Sequence, residues 1–233
     1  NALMDREVGL TRREVNLIMG HLERKYPDGT FDVNDVAHEA FELLFEAHED
    51  NLLQLPLNEQ AAHDVLMQTF QSLDTEKTGE LAVPETQNGL FLADLGLTGL
   101  QTHALLGLLA DLNVSVDYGA FAEYISSWVA QILQGTDLRN PSNTVANLER
   151  NALQDQLLTA FQKQDPKQTG TISYAQMTDV INGFSFSPRE KSAVLSLVIA
   201  QANEEEGVSY DIVARTAFDV CWLQQRLGLD LVE

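Results

Sequence analysis

The run Asp74-Thr75-Glu76-Lys77-Thr78-Gly79-Glu80-Leu81-Ala82-Val83-Pro84-Glu85 sets oxygen-bearing groups at alternating places along a twelve-residue stretch. Asp74, Glu76 and Thr78 occupy its first, third and fifth positions, Gly79 the sixth, Glu80 the seventh and Glu85 the last. A hard cation such as calcium takes about six to eight oxygens from a chain folded tightly around it. One twelve-residue loop that wraps such an ion does so with carboxylates or hydroxyls at alternating places, a glycine where the backbone turns most sharply, a carbonyl just after it, and a final carboxylate that binds through both oxygens. All are present, so at most one calcium ion is expected, at Asp74, Glu76, Thr78, Glu80 and Glu85, with Pro84 and a degenerate partner loop counting against it. The competing reading is an acidic, solvated turn, since short matches of this type recur by chance.

Four further stretches resemble this one and each departs from it. Asp165 to Gln176 keeps Asp165, Thr169, Gly170 and Ile172, but Lys167 puts a cation at the third position and Gln176 replaces the final carboxylate. Gln201 to Ile212 ends in an apolar residue and has no glycine at the turn position. Asp111-Leu112-Asn113-Val114-Ser115-Val116 is about two residues short and reaches Ala120 where the closing Glu belongs. Arg24 to Asp35 retains Asp28-Gly29-Thr30-Phe31 but begins with Arg24 and has Tyr26 at its third place. None of the four is expected to hold calcium.

The elements that must position these loops are helices. Apolar residues recur at helical spacing in Val15-Leu17-Ile18-Leu22, in Val36-Ala40-Phe41-Leu44-Phe45 and in Phe121-Ile125-Trp128-Val129-Ile132, and strand-like alternation never persists. Three capping boxes open helices: Thr11 with Glu14, Thr98 with Gln101, and Ser187 with Glu190, where Pro188 takes the first helical position. The chain also repeats itself. Phe70, Asp74, Gly79 and Leu81 recur as Phe161, Asp165, Gly170 and Ile172, each 91 positions later, and Val116 and Tyr118 recur as Val208 and Tyr210, 92 positions later. Breaks fall near Leu55-Pro56-Leu57 and between Gln134 and Asn147.

Stripe, loop, repeat and cap together resemble the EF-hand superfamily, and in particular calmodulin-like proteins with two hands in each lobe. The resemblance implies an all-α fold of tandem helix-loop-helix lobes: two complete lobes preceded by a half lobe. It places a partial lobe at residues 1–55, a pair of hands at 58–134, a linker at 135–145 and a degenerate pair at 146–233. The matching hand of the half lobe is expected upstream of residue 10, and a sequence opening at Asn1 reads as part of a longer polypeptide. Paired loops are expected to bridge at Leu81 with Val116 and at Ile172 with Val208.

The same resemblance implies a function. A lobe of this type leaves a groove between its helices that an amphipathic helix fills through anchors at helical spacing. Phe121, Trp128, Phe218 and Trp222 are the expected partner-binding residues, with plain core packing as the competing reading. Calmodulin-like promiscuity depends on adaptable Met-rich surfaces, and four Met in the chain imply one or a few fixed partners. The expected protein is therefore an adaptor subunit of a hetero-complex that binds amphipathic, basic helices largely without calcium. Leu10-Thr11-Arg12-Arg13-Glu14-Val15-Asn16-Leu17-Ile18-Met19 is similar in general character to EF-hand subunits of ciliary assemblies, the axonemal radial spoke in particular. A calcium sensor that switches on filling the loop at 74–85, and a light-chain-like regulatory subunit of an enzyme, are the alternatives.

Composition bounds these readings. In 233 residues, 35 acidic against 14 basic side chains give a net charge of −21, which repels nucleic-acid phosphates and anionic membrane surfaces and favours a basic partner. A 44% hydrophobic content suffices for real cores. No uncharged run approaches the roughly 18 residues that span a bilayer. With no secretory leader and a single cysteine, Cys221, in an apolar stretch, the expected compartment is the reducing cytoplasm. His21, His38, His48, His63 and His103 show no zinc-type spacing, and neither a phosphate loop nor a nucleophile elbow occurs. Glu204-Glu205-Glu206 reads as a solvated face. An enzyme is not expected.

Overall fold

A computed structural model describes residues 10–26, 32–49, 58–111, 115–134, 143–199 and 207–227. The chain is predominantly helical, with ten α-helices and two small ladders among the described residues. The first unit is α1 (Arg12–Lys25) and α2 (Val33–Glu49). Four more helix-loop-helix units follow: α3 (Glu59–Leu73) with α4 (Val83–Leu92), α5 (Gly99–Leu106) with α6 (Tyr118–Leu133), α7 (Arg150–Gln164) with α8 (Tyr174–Asn182), and α9 (Pro188–Ile199) with α10 (Tyr210–Leu227). None of them is long and apolar enough to cross a membrane.

Polar side chains at the cap positions begin six of these helices. Thr11 accepts from Glu14 N while Glu14 reaches back to Thr11 N, and Thr98 with Gln101 repeats the arrangement on α5. Ser187 and Glu190 do so on α9, each accepting from the other's backbone N–H. A fourth box, Ser173 with Gln176, opens α8, and Asn58 and Asp117 cap α3 and α6. Each satisfies amide donors that a helix end otherwise leaves bare.

Two ladders tie the later units into pairs. Strand β1 (Glu80–Ala82) runs antiparallel to β2 (Ser115–Asp117) with Leu81 opposite Val116, and β3 (Thr171–Ile172) runs antiparallel to β4 (Val208–Ser209) with Ile172 opposite Val208. All four apolar bridge residues are buried, so each ladder plugs the loop end of its pair with a hydrophobic contact. The register is the expected one, with the first ladder a residue longer.

The blocks 58–134 and 146–233 do not keep separate interiors. One apolar core runs from Leu66, Phe70 and Phe121 through Leu105 and Leu106 to Leu157, Phe161, Val194, Leu197 and Val213. Helix α9 packs along α5 and along the 3-10 turn Gly107–Asp111 that follows it, and α10 lies against α5 as well. In the expected linker 135–145, residues 135–142 lie outside the described residues. Its end belongs to the second block: Val145 is fully buried and bridges Leu148, and Gln225 donates to the carbonyl of Thr144.

The unit α1–α2 keeps its own small core of Ile18, Leu22 and Val36, edged by Ala40, Leu43 and Leu44. It is joined to the next block by the bridge between Thr11 and Thr98 and by the Arg13–Asp94 ion pair at 2.9 Å. The Asp28-Gly29-Thr30-Phe31 turn, Leu55-Pro56-Leu57, Leu112 to Val114 and Gln201 to Glu206 lie outside the described residues.

Candidate functional site

Asp74 sits at the C-terminal end of α3, where the helix axis delivers its carboxylate into the loop, and it is nearly buried. One oxygen accepts from Thr78 N at 3.1 Å and lies 3.4 Å from the Thr78 hydroxyl oxygen. The other accepts from Gly79 N at 2.8 Å and from the Tyr118 hydroxyl at 3.2 Å. The N–H of Gly79, above all, holds the Asp74 carboxyl below its ordinary range, with Thr78 and Tyr118 adding to it against the opposing push of burial. Gly79 can present its N–H because its φ of +82° is open to glycine, and Lys77 takes φ +57° in the same turn.

The second pair repeats this geometry with different neighbours. Asp165 accepts from Gly170 N at 2.8 Å, from the Thr169 hydroxyl at 3.1 Å and from the Tyr210 hydroxyl at 3.3 Å. Burial pushes its carboxyl upward, but the donors from Thr169 and Gly170 outweigh it and the net direction is down. Gly170 has φ +81° and Gln168 φ +54°, matching Gly79 and Lys77. Each tyrosine begins the last helix of its pair and its ring packs beside the phenylalanine one turn before the aspartate: Phe70–Tyr118 at 6.1 Å, tilted, and Phe161–Tyr210 at 6.0 Å, stacked, between centroids. Burial, first, and then the adjacent carboxylate push both hydroxyls above the usual tyrosine value, which keeps them protonated donors. Sequence reasoning finds the tyrosine repeat but not its task.

The donors selected for calcium do gather. Asp74, Glu76, Thr78, Glu80 and Glu85 line one concavity of about 260 Å³. Carboxylates, a hydroxyl and a carbonyl are chemically suited to a hard cation. Their existing bonds compete with it. Glu85 accepts from Ala82 N at 3.0 Å, the Thr78 hydroxyl donates to the Glu80 carbonyl at 3.0 Å, and the Glu80 carboxylate accepts from Ser115 across the ladder at 2.8 Å. No tight cluster of three or more His, Cys, Asp or Glu side chains occurs among the described residues.

Gln176, at the twelfth position of the second loop, has a helix-capping role. It is also the third residue of the helix that leaves the loop, and its Oε1 accepts from Ser173 N at 3.0 Å, as Glu85 does from Ala82. The loop at 201–212 departs from expectation in one respect: a left-handed glycine is present, but at Gly207, directly before the bridge residue Val208.

Of the four aromatics expected to face a partner, Phe121 and Phe218 are buried in the shared core, 5% and 6% exposed. Trp128 and Trp222 are half-buried at its edge, Trp222 beneath the Arg226 guanidinium. Cys221 is fully buried among apolar groups, which pushes its thiol well up and leaves it an inert packing residue. Among the described residues the most exposed aromatics are elsewhere, on α2, where Phe41 and Phe45 are 69% and 55% exposed.

Set against protein-family models, curated proteins and solved structures, the chain matches none of them.

Proposed function

We propose that this chain is a calmodulin-like EF-hand adaptor, a subunit that holds amphipathic, basic helices of partner proteins within a larger cytoplasmic assembly and does so largely without calcium. The observation that carries the reading is the matched pair of loops. In both, a turn glycine, a threonine and a tyrosine from the paired unit supply the donors that satisfy the leading aspartate. A loop whose first carboxylate is already bonded by protein holds its shape with no ion. The setting we favour is the axonemal radial spoke, on the general likeness of the Leu10–Met19 segment to ciliary calmodulin-like subunits.

A second reading, a calcium sensor, draws on the carboxylates gathered around the concavity at 74–85. Calcium there would be held by Asp74, Glu76, Thr78, Glu80 and Glu85. A ligand shifts a conformational equilibrium only by its differential affinity for the two states. Cross-linking the full-length protein in its native cells, with calcium and with chelator, separates the two readings by mass spectrometry. The adaptor gives one partner set in both conditions. A partner recovered only with calcium would replace it with the sensor.

A further inference from the structure

Helix α2 carries more apolar surface outward than its own unit uses. Its inner side, Val36, Ala40, Leu43 and Leu44, packs on Ile18 and Leu22 of α1. Ala37, Phe41 and Phe45, spaced four apart, form a second strip that is exposed along its length. The two rings stack on each other at 6.4 Å with 22° between planes. They form one continuous aromatic platform with the ring planes near-parallel. Beside this strip runs a parallel row, His38, Glu42 and Glu46, also exposed, with His38 and Glu42 within 3.4 Å.

The charges decide what can cover the platform. Helix α2 bears Asp35, Glu39, Glu42, Glu46 and Glu49 and not one Lys or Arg. Glu39 is already taken by Lys25 and Tyr26, whereas Glu42 and Glu46 face solvent. A second copy of this chain would bring the same acidic row and a further net charge of −21 to the contact, and like charges across an interface cost affinity. An amphipathic helix with an apolar stripe and a basic flank meets both features at once.

We propose that the outer face of α2 is a docking site for one cationic amphipathic helix, with Phe41 and Phe45 as its apolar anchors and Glu42 and Glu46 as its acidic rail. The site deepens the adaptor reading and rests on it, but it lies on the far side of α2 from the interior of the unit. Two rings at these exposures offer roughly 250 Å² of apolar surface, well short of the roughly 800 Å² per partner of a standard interface. The occupant is therefore a helix and not the flat face of a domain.

The test uses the full chain and a fluorescent synthetic helix of about 18 residues, with Leu at i, i+3, i+4 and i+7 and Lys on both flanks, against a twin carrying Glu in place of Lys. Anisotropy is expected to show the Lys helix binding at least about tenfold more tightly than its twin, and less tightly as salt rises. Phe41→Ser with Phe45→Ser is expected to weaken it about tenfold or more. Glu42→Lys with Glu46→Lys, which leaves the rings in place, is expected to reverse the preference between the twins. Unchanged circular dichroism and melting of both variants exclude a folding defect. The proposal fails if the wild type ignores the Lys helix, or if sedimentation finds a dimer that the Phe variant dissolves. It also fails if binding survives both variants. In that last case the site is wrong while the adaptor reading, tested by the cross-linking above, still stands.

Discussion

A tyrosine hydroxyl reaching a carboxylate across a loop pair supplies a donor to an oxygen that would otherwise sit buried with its charge unmet. Tyr118 and Tyr210 do this for Asp74 and Asp165. Replacing either with Phe keeps the ring and removes one hydrogen bond. The expected loss is about 2–4 °C in Tm, the size of one net hydrogen bond in a chain of this length. The pH profile follows from the directions of the shifts. Both aspartates are lowered in the folded protein, so their stabilisation is complete above the unfolded value near 3.9 and is lost as pH falls through the folded one. Both tyrosines are raised, so theirs is complete below about pH 10 and is lost as pH rises through the folded value. Melting followed by circular dichroism should fall at both ends, and Tyr118→Phe with Tyr210→Phe should flatten the alkaline limb. A limb unchanged by the pair would mean the bonds do not matter in solution. For calcium, calorimetry with millimolar ion is expected to find at most one site, abolished by Glu85→Gln, which removes the closing carboxylate of the 74–85 loop. Two sites, or one indifferent to Glu85, would overturn the ligand assignment. The repeat of Tyr118 as Tyr210 is visible in the sequence. Their partners are not, since each lies in the preceding unit, 44 and 45 residues away.

At the scale of elements, caps and bridges are the most legible features, because a capping box and a bridge residue are local chemistry that no distant packing overrides. The box at Ser173 and Gln176 escapes the sequence for an instructive reason. As a loop residue Gln176 reads only as a failed metal ligand, yet the last place of such a loop coincides with the third place of the helix that follows, and a Gln serves the cap as well as a Glu. The start of α8 is therefore capped by the chain's own side chains. Two glycines separate backbone from packing. Gly79 has φ +82° and open space where a Cβ would point, so Gly79→Ala is expected to cost about 1–2 kcal/mol from the left-handed backbone alone. Gly89 lies within α4, where Ala gains about 1 kcal/mol of helix propensity. Its Cβ, however, would meet two carbons of the Phe70 ring at 2.7 Å, and Phe70 is fully buried. Overpacking of about 1–3 kcal/mol outweighs the gain, so Gly89→Ala is expected to destabilise as well. Urea melts of the two variants check both signs. A stabilised Gly89→Ala would show that Phe70 can move aside.

The whole molecule departs most from a string of independent lobes. Helical periodicity tells which face of α5 or α9 is apolar, but not that each face is covered by the other block. The seam is built from close approach. His103 on α5 lies 2.7 Å from the Ser196 hydroxyl on α9, and Gln224 on α10 donates to the Ala104 carbonyl at 2.9 Å. Gly107 makes room for that amide: a Cβ there would stand 1.8 Å from Gln224 Nε2 and 2.8 Å from the Arg189 carbonyl. Gly107→Ala must therefore displace Gln224, leaving buried polar groups short of partners at about 1–3 kcal/mol and crowding the seam by a similar amount. The expected result is a Tm lower by about 5–15 °C. Gly20→Ala, with nothing within 4 Å of its Cβ, should leave Tm unchanged or slightly raised. The wild type should unfold in one transition, since neither block can expose its share of a common core alone. Shortening the obstructing side chain is the decisive control. Gln224→Ser added to Gly107→Ala is expected to destabilise by less than the sum of the two single changes, because one of them removes the clash that the other creates. Strict additivity would place the damage at Gly107 somewhere other than this seam, and two calorimetric transitions in the wild type would mean that the blocks fold independently despite the core they share.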